Sequence, residues 1–130
     1  MSTSFDTMLP MTDRYWCEFV RFVRVHETLS IHFSEVNSSK QFFIVEFVSV
    51  RYHAGPLHWL NETFEIAPPK DCAAMLRQIR GFDNISENEL FDRVNRRGDN
   101  YKLYQSRDSG LTTQIIATGA HLFSVEEYYP

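Results

Sequence analysis

Two histidines and a carboxylate gather in one short stretch of the chain. Tyr52, His53, His58 and Trp59 flank the tripeptide Ala54-Gly55-Pro56, and Glu62 follows. If Gly55 and Pro56 make a tight turn, the two sides of a hairpin close and His53 comes within reach of His58. Glu62 shares strand parity with His58, so the two project from one face. Two imidazoles and a carboxylate are the start of a polar pocket or a metal site walled by Tyr52 and Trp59. Zinc asks for three or four protein ligands, and no further ligand stands at a telling spacing. His26 and His32 are a second pair, but on one continuous strand they lie roughly 20 Å apart. The simpler reading is a strand–turn–strand corner whose aromatic rings form contact surface. It is the one adopted here, with no metal and no cofactor expected.

Glu46 carries a different chemistry. It interrupts an apolar face between Ile44 and Val48. A carboxylate placed there needs a partner, and Arg21 and Arg24 in an earlier strand are the candidates. Glu46 is therefore either an acid or base in a pocket or one half of a cross-strand ion pair. No catalytic residue is assigned. The chain has no G-x-S-x-G elbow, no phosphate-cradling G-x-x-x-x-G-K-[ST] and no G-x-G-x-x-G. Its two cysteines, Cys17 and Cys72, read as buried free thiols.

Composition points to contact between proteins. Ten arginines stand against three lysines, and protein interfaces favour Arg, Tyr and Trp over Lys. Tyr52, Trp59, Tyr101 and Tyr104 are the expected contact residues, with Arg96 and Arg97 at the rim. The Arg93–Arg107 segment interleaves basic and aromatic residues, as a single-strand nucleic-acid surface does. Asp92, Asp99 and Asp108 neutralise much of it, and the net charge is −4. Nucleic acid is therefore not the expected partner.

These residues must be positioned by one domain. The 130 residues, 43% hydrophobic and 15% aromatic, suffice for a core without disulfide or metal. Residues 1–13 mix Ser, Thr, Asp and Pro with scattered apolar side chains and read as a flexible arm, leaving 14–130 as the domain. Leu29, Ile31 and Phe33 alternate with Ser30, His32 and Ser34, the clearest strand period in the chain. Residues 41–53 read as one strand that is apolar on both faces. Residues 58–66 read as a further strand. The period then changes: Cys72, Met75, Leu76 and Ile79 fall on one helical stripe. A second helix opens on Ser86 and Glu89, the capping-box spacing. Two strands joined by Arg107-Asp108-Ser109-Gly110 follow, and residues 120–125 extend the last strand or add another. The order β-β-β-β-α-α-β-β predicts an α+β fold: one curved, mainly antiparallel sheet of about six strands, with two helices on one face.

The leading expectation is a small cytoplasmic, non-catalytic interaction module of the adaptor or toxin-immunity type. Its partner would be another protein or a second copy of itself. The alternative is a small-molecule or metal-binding domain with a pocket between sheet and helices, its polar groups being Glu46, His53, His58 and Glu62. No secretory signal is read at the start, and no apolar run approaches the roughly 20 residues of a membrane span.

Overall fold

The computed structural model describes residues 3–37, 42–95, 100–108 and 110–129. In chain order the strands are β1 (Thr3–Ser4), β2 (Tyr15–Val23), β3 (Thr28–Glu35), β4 (Phe42–Val48), β5 (Tyr52–Ala54), β6 (His58–Asn61) and β7 (Thr63–Ile66). Helices α1 (Pro69–Leu76) and α2 (Glu87–Asn95) precede β8 (Lys102–Asp108), β9 (Leu111–Ala117) and β10 (Gly119–Ser124). A one-turn helix, α3 (Val125–Tyr128), follows.

The fold is α+β and antiparallel, as expected, but the strands form two sheets instead of one. The first has the order β1-β10-β4-β3-β2-β6 and the second β5-β9-β8-β7. The extra sheet arises because apolar runs that read as single strands bend and change sheets. Ser49, with φ of +53°, ends β4, so Val50 turns into the core while Tyr52 starts a strand of the other sheet. Residues 58–66 divide at Glu62, whose backbone N–H bonds to the Arg107 carbonyl at 2.8 Å. Thr118 is a third corner. Its backbone N–H and its hydroxyl both donate to the Val48 carbonyl. Strands that switch sheets at bends are a known way to make two packed sheets from one chain.

Each strand's pleat explains its place. In β3, Leu29, Ile31 and Phe33 are buried between the sheets, as the alternation predicts. Val45, Phe47, Phe64, Tyr104, Ile115 and Ala117 complete this interior. The second sheet's other face carries Leu103 and Ile116, covered by Cys72 and Leu76 of α1 and Leu90 and Val94 of α2. The layers are therefore sheet, sheet, helices. Helix α1 stops at Leu76, short of the predicted stripe. Arg77 instead donates to the carbonyls of Phe82, Asp83 and Ile85 and pairs with Glu87 at 2.9 Å, organising the turn into α2. Ser86 caps α2 by accepting from the Glu89 N–H at 3.1 Å.

The expected flexible arm, residues 1–13, is corrected from Thr3 onward. Phe5 is fully buried and Met11 nearly so. Met11 exchanges two backbone hydrogen bonds with Phe64, and Asp6 accepts from the Tyr104 hydroxyl at 2.7 Å and pairs with Lys102. Isolated apolar residues without a period gave no sign of this docking.

A buried polar chain crosses between the sheets. Trp59 Nε1 donates to Ser106 Oγ at 2.7 Å, Ser106 donates to Asn61 Oδ1 at 2.7 Å, and Asn61 Nδ2 reaches the Asp13 carbonyl at 3.2 Å. Asn61 and Ser106 are both inaccessible to solvent. Replacing Asn61 by Leu leaves the Ser106 hydroxyl without its acceptor, which costs about 2–3 kcal/mol. Urea unfolding of N61L against the parent checks this.

Candidate functional site

The sandwich is open along one seam. Strand β2 pairs with β3 along its length, but with β6 only from Tyr15 to Glu18. The Phe19 N–H adds a last bond to the Leu57 carbonyl at 2.8 Å. From Val20 to Val23 the far edge of β2 has no strand partner among the described residues. A bulge between Phe19 and Arg21 lets both Phe19 and Phe22 face inward, opposite Ile31 and Leu29. Across the seam stands β5, itself the edge of the second sheet. Between the two edges lies a crevice of about 290 Å³ lined by Phe19, Phe22, Leu29, Val50, Arg51, Tyr52 and His53. Phe22 remains 45% exposed at its mouth and Val25, beyond it, 86% exposed.

The crevice is mainly apolar, with Arg51 and His53 in its lining. His53 stacks on Phe19, ring centroids 5.6 Å apart. Its Nε2 is buried without a hydrogen-bond partner, and burial pushes its pKa below the usual histidine value. Arg51 pairs with Glu27 and donates to the Tyr101 hydroxyl at 3.1 Å. Arg21 donates to the Tyr128 hydroxyl at 3.0 Å and lies over that ring. Arg24 is exposed in the β2–β3 turn.

The Tyr52–Trp59 stretch is not a hairpin. Its two sides belong to different sheets, β5 to the second and β6 to the first. Gly55 makes the crossing with φ of +146°. A Cβ there would lie 2.6 Å from Thr113 Oγ1 and 3.0 Å from the Thr113 Cα. Because the chain crosses here, His53 and His58 part. His53 turns into the seam. His58 lies on the outer face of the first sheet, stacked on Trp16 at 5.2 Å. Glu62 is at a corner and exposed.

The other expected site residues are also separated. Trp59, Tyr101 and Tyr104 are buried and so cannot form contact surface. Trp59 and Tyr104 fill the interior between the sheets, and Tyr101 packs edge-on against Phe82 under the helices. Their hydroxyl and indole groups have partners inside, which is how buried Tyr and Trp are accommodated. Tyr52 alone of the four aromatics reaches the seam. Arg96 and Arg97 lie outside the described residues. Glu46 is half-buried on the outer face, in register with Ser30 and His121. Neither Arg21 nor Arg24 pairs with it among the described residues. That face is partly covered by α3, whose Tyr128 hydroxyl lies 2.6 Å from Ser30 Oγ.

No group of three or more His, Cys, Asp or Glu side chains among the described residues is placed to hold a metal ion. Both thiols are buried, and burial pushes Cys72 up to about 12 and Cys17 well above its usual value. Neither is a thiolate near neutral pH. No helix of the described residues is long and apolar enough to cross a membrane. Comparison with protein-family models, with curated proteins and with solved structures finds no significant match.

Sequence reasoning missed Phe19 and Phe22 as site residues because a three-residue spacing breaks strand parity. The repeated Phe-Val-Arg pattern of residues 19–24 was the available sign of a bulge. Two expectations follow. Gly55→Ala loses about 1–3 kcal/mol, from the contact with Thr113 and the unusual φ, read by thermal or urea unfolding. Burial disfavours the protonated form of His53 in the folded chain, while the unfolded chain takes up a proton below about pH 6.5. Its contribution to stability is therefore complete above that pH and is lost as the pH falls through the lowered folded value. In His53→Phe the loss of stability between pH 7.5 and 5 is smaller than in the parent. At pH 7.5 the variant is no less stable, because no hydrogen bond is removed.

Proposed function

We propose that the chain is a non-catalytic interaction module that takes an extended peptide segment along the open edge of β2. The single observation that carries this is the unpaired backbone from Val20 to Val23 beside an apolar crevice. Unpaired strand N–H and C=O groups are a template for another strand. A segment laid there would form main-chain hydrogen bonds and send alternate side chains inward. An apolar residue would enter the crevice against Phe22, Leu29 and Val50. Arg21 and Arg24 would meet acidic residues on the segment's flanks.

A small-molecule site is less well supported. Of the four polar groups expected to converge, only His53 lines the crevice. Glu46, His58 and Glu62 project elsewhere, and small-molecule sites depend on convergent polar groups.

The test is selection from a random dodecapeptide display library against the intact chain, with hits measured by calorimetry. Selected peptides should alternate apolar and acidic residues, and their binding should protect the Val20–Val23 amides from hydrogen exchange. Phe22→Asp should weaken them at least ~10-fold, about 1.4 kcal/mol, with unchanged melting temperature because Phe22 is half exposed. Selected peptides that bind F22D as tightly as the parent would remove the proposal.

A further inference from the structure

The two sheets have a second seam, and the chain closes that one itself. On the side away from β2 and β5, the first sheet runs out to β10 and the second to β7. The N-terminal segment joins them. Thr3 and Ser4 add β1 to the edge of β10, and Met11 bridges to Phe64 of β7. Between those contacts Phe5 drops into the space between the sheets and is fully buried. It meets Phe33, Phe47 and Phe64 edge-on. The next residue, Asp6, accepts from the Tyr104 hydroxyl and pairs with Lys102. An edge-pairing segment, an aromatic anchor and an adjacent carboxylate thus close one seam. The seam between β2 and β5 offers a matching socket.

We infer that the segment taken at the open seam carries an aromatic residue as its anchor, next to an aspartate or glutamate. This rests on the reading of the β2 edge as a docking strand and names what that edge selects. The walls of the crevice favour a ring. Phe19, Phe22, Tyr52 and His53 are four of its seven lining residues, and the Phe19 and His53 rings lie parallel within 12°. A ring edge against a ring face gains a quadrupole attraction that an aliphatic side chain lacks. The size is also sufficient. The crevice holds about 290 Å³, and a closed apolar cavity of roughly 150 Å³ already takes up benzene. Charge supplies the second half of the pattern. Phe22 stands at the mouth, and two residues on comes Arg24, which is exposed and has no ion pair among the described residues. A carboxylate beside the anchor meets this cation as Asp6 meets Lys102.

The probes are the strongest dodecapeptides from the display selection, made synthetically and titrated against the intact chain by calorimetry. The peptide residue in the crevice is located by nuclear Overhauser contacts to Phe22 and Val50. Each peptide is then remade with Phe, Leu or Ala at that position, and with its neighbouring acid as the amide. Phe should bind at least ~3-fold more tightly than Leu, and Ala more weakly than either. Arg24→Gln alters an exposed position and should leave the melting temperature unchanged. At about 50 mM salt, where screening is weak, it should weaken the acidic peptide at least ~3-fold and leave the amide form unaffected. Peptides that protect the Val20–Val23 amides yet bind as well with Leu as with Phe overturn the inference and leave the docking edge standing. So do selected peptides with no aromatic at that position, or an R24Q chain that holds the acidic form as tightly as the parent. If no peptide protects those amides, the docking edge itself falls and this inference with it.

Discussion

Phe5 is the plug on which the two-sheet body depends. Its ring meets Phe33 and Phe47 of the first sheet and Phe64 of the second, all edge-on, with centroids 5.8, 6.2 and 5.2 Å away. Phe47 in turn meets Tyr104 edge-on at 5.0 Å. Edge-to-face rings pack at these distances with a favourable quadrupole interaction. Two sheets joined at bends diverge away from each bend, and the space between them must be filled for either to stay covered. A fully buried Phe side chain is worth several kcal/mol once the cavity left by its loss is counted. The plug is fixed in place by Asp6 beside it, which holds both the Tyr104 hydroxyl and Lys102 of the second sheet.

The corners explain where the body is closed and where it stays open. At each one the freed backbone groups find partners: Arg51 N–H on the Ile116 carbonyl, Glu62 N–H on Arg107, Thr118 N–H on Val48. Buried backbone groups must be satisfied, so these bonds decide where a strand can leave its sheet. The crossing through Gly55 does the same for β2, but only as far as Phe19, which bonds Leu57. Beyond that point no further segment among the described residues pairs with the edge. The open seam is thus left where the stitching at these corners ends.

Strand β3 and helices α1 and α2 were legible because their periods are local. The alternation in β3, the helical stripe from Cys72 to Leu76 and the cap at Ser86 follow from pleat and pitch alone. The division into two sheets was not legible. It depends on single residues: Ser49, whose φ is +53°, and Glu62 and Thr118, whose backbone N–H groups bond distant carbonyls. The aromatic site failed for a related reason. Trp59 and Tyr104 were read as interface residues from their type, yet type does not distinguish an exposed ring from one whose polar atom is met inside. Ser106 and Asp6, which meet them, are 47 and 98 residues away. Of the expected site residues, Tyr52 and His53 reach the seam. Phe19 and Phe22 join them only because a bulge overrides parity.

The charges along β2 bear on which surface meets which partner. An apolar edge strand such as Phe19–Val23 invites pairing with its own copy, and charged residues are the usual safeguard. Antiparallel pairing of two such edges about Phe22 would place the two Arg21 side chains on one face as diagonal neighbours, where like charges oppose the contact. Arg21 is also held over the Tyr128 ring, so it cannot swing away without losing that hydrogen bond and stack. The edge therefore discriminates against the chain's own β2, which is what the proposed docking of an acidic segment requires.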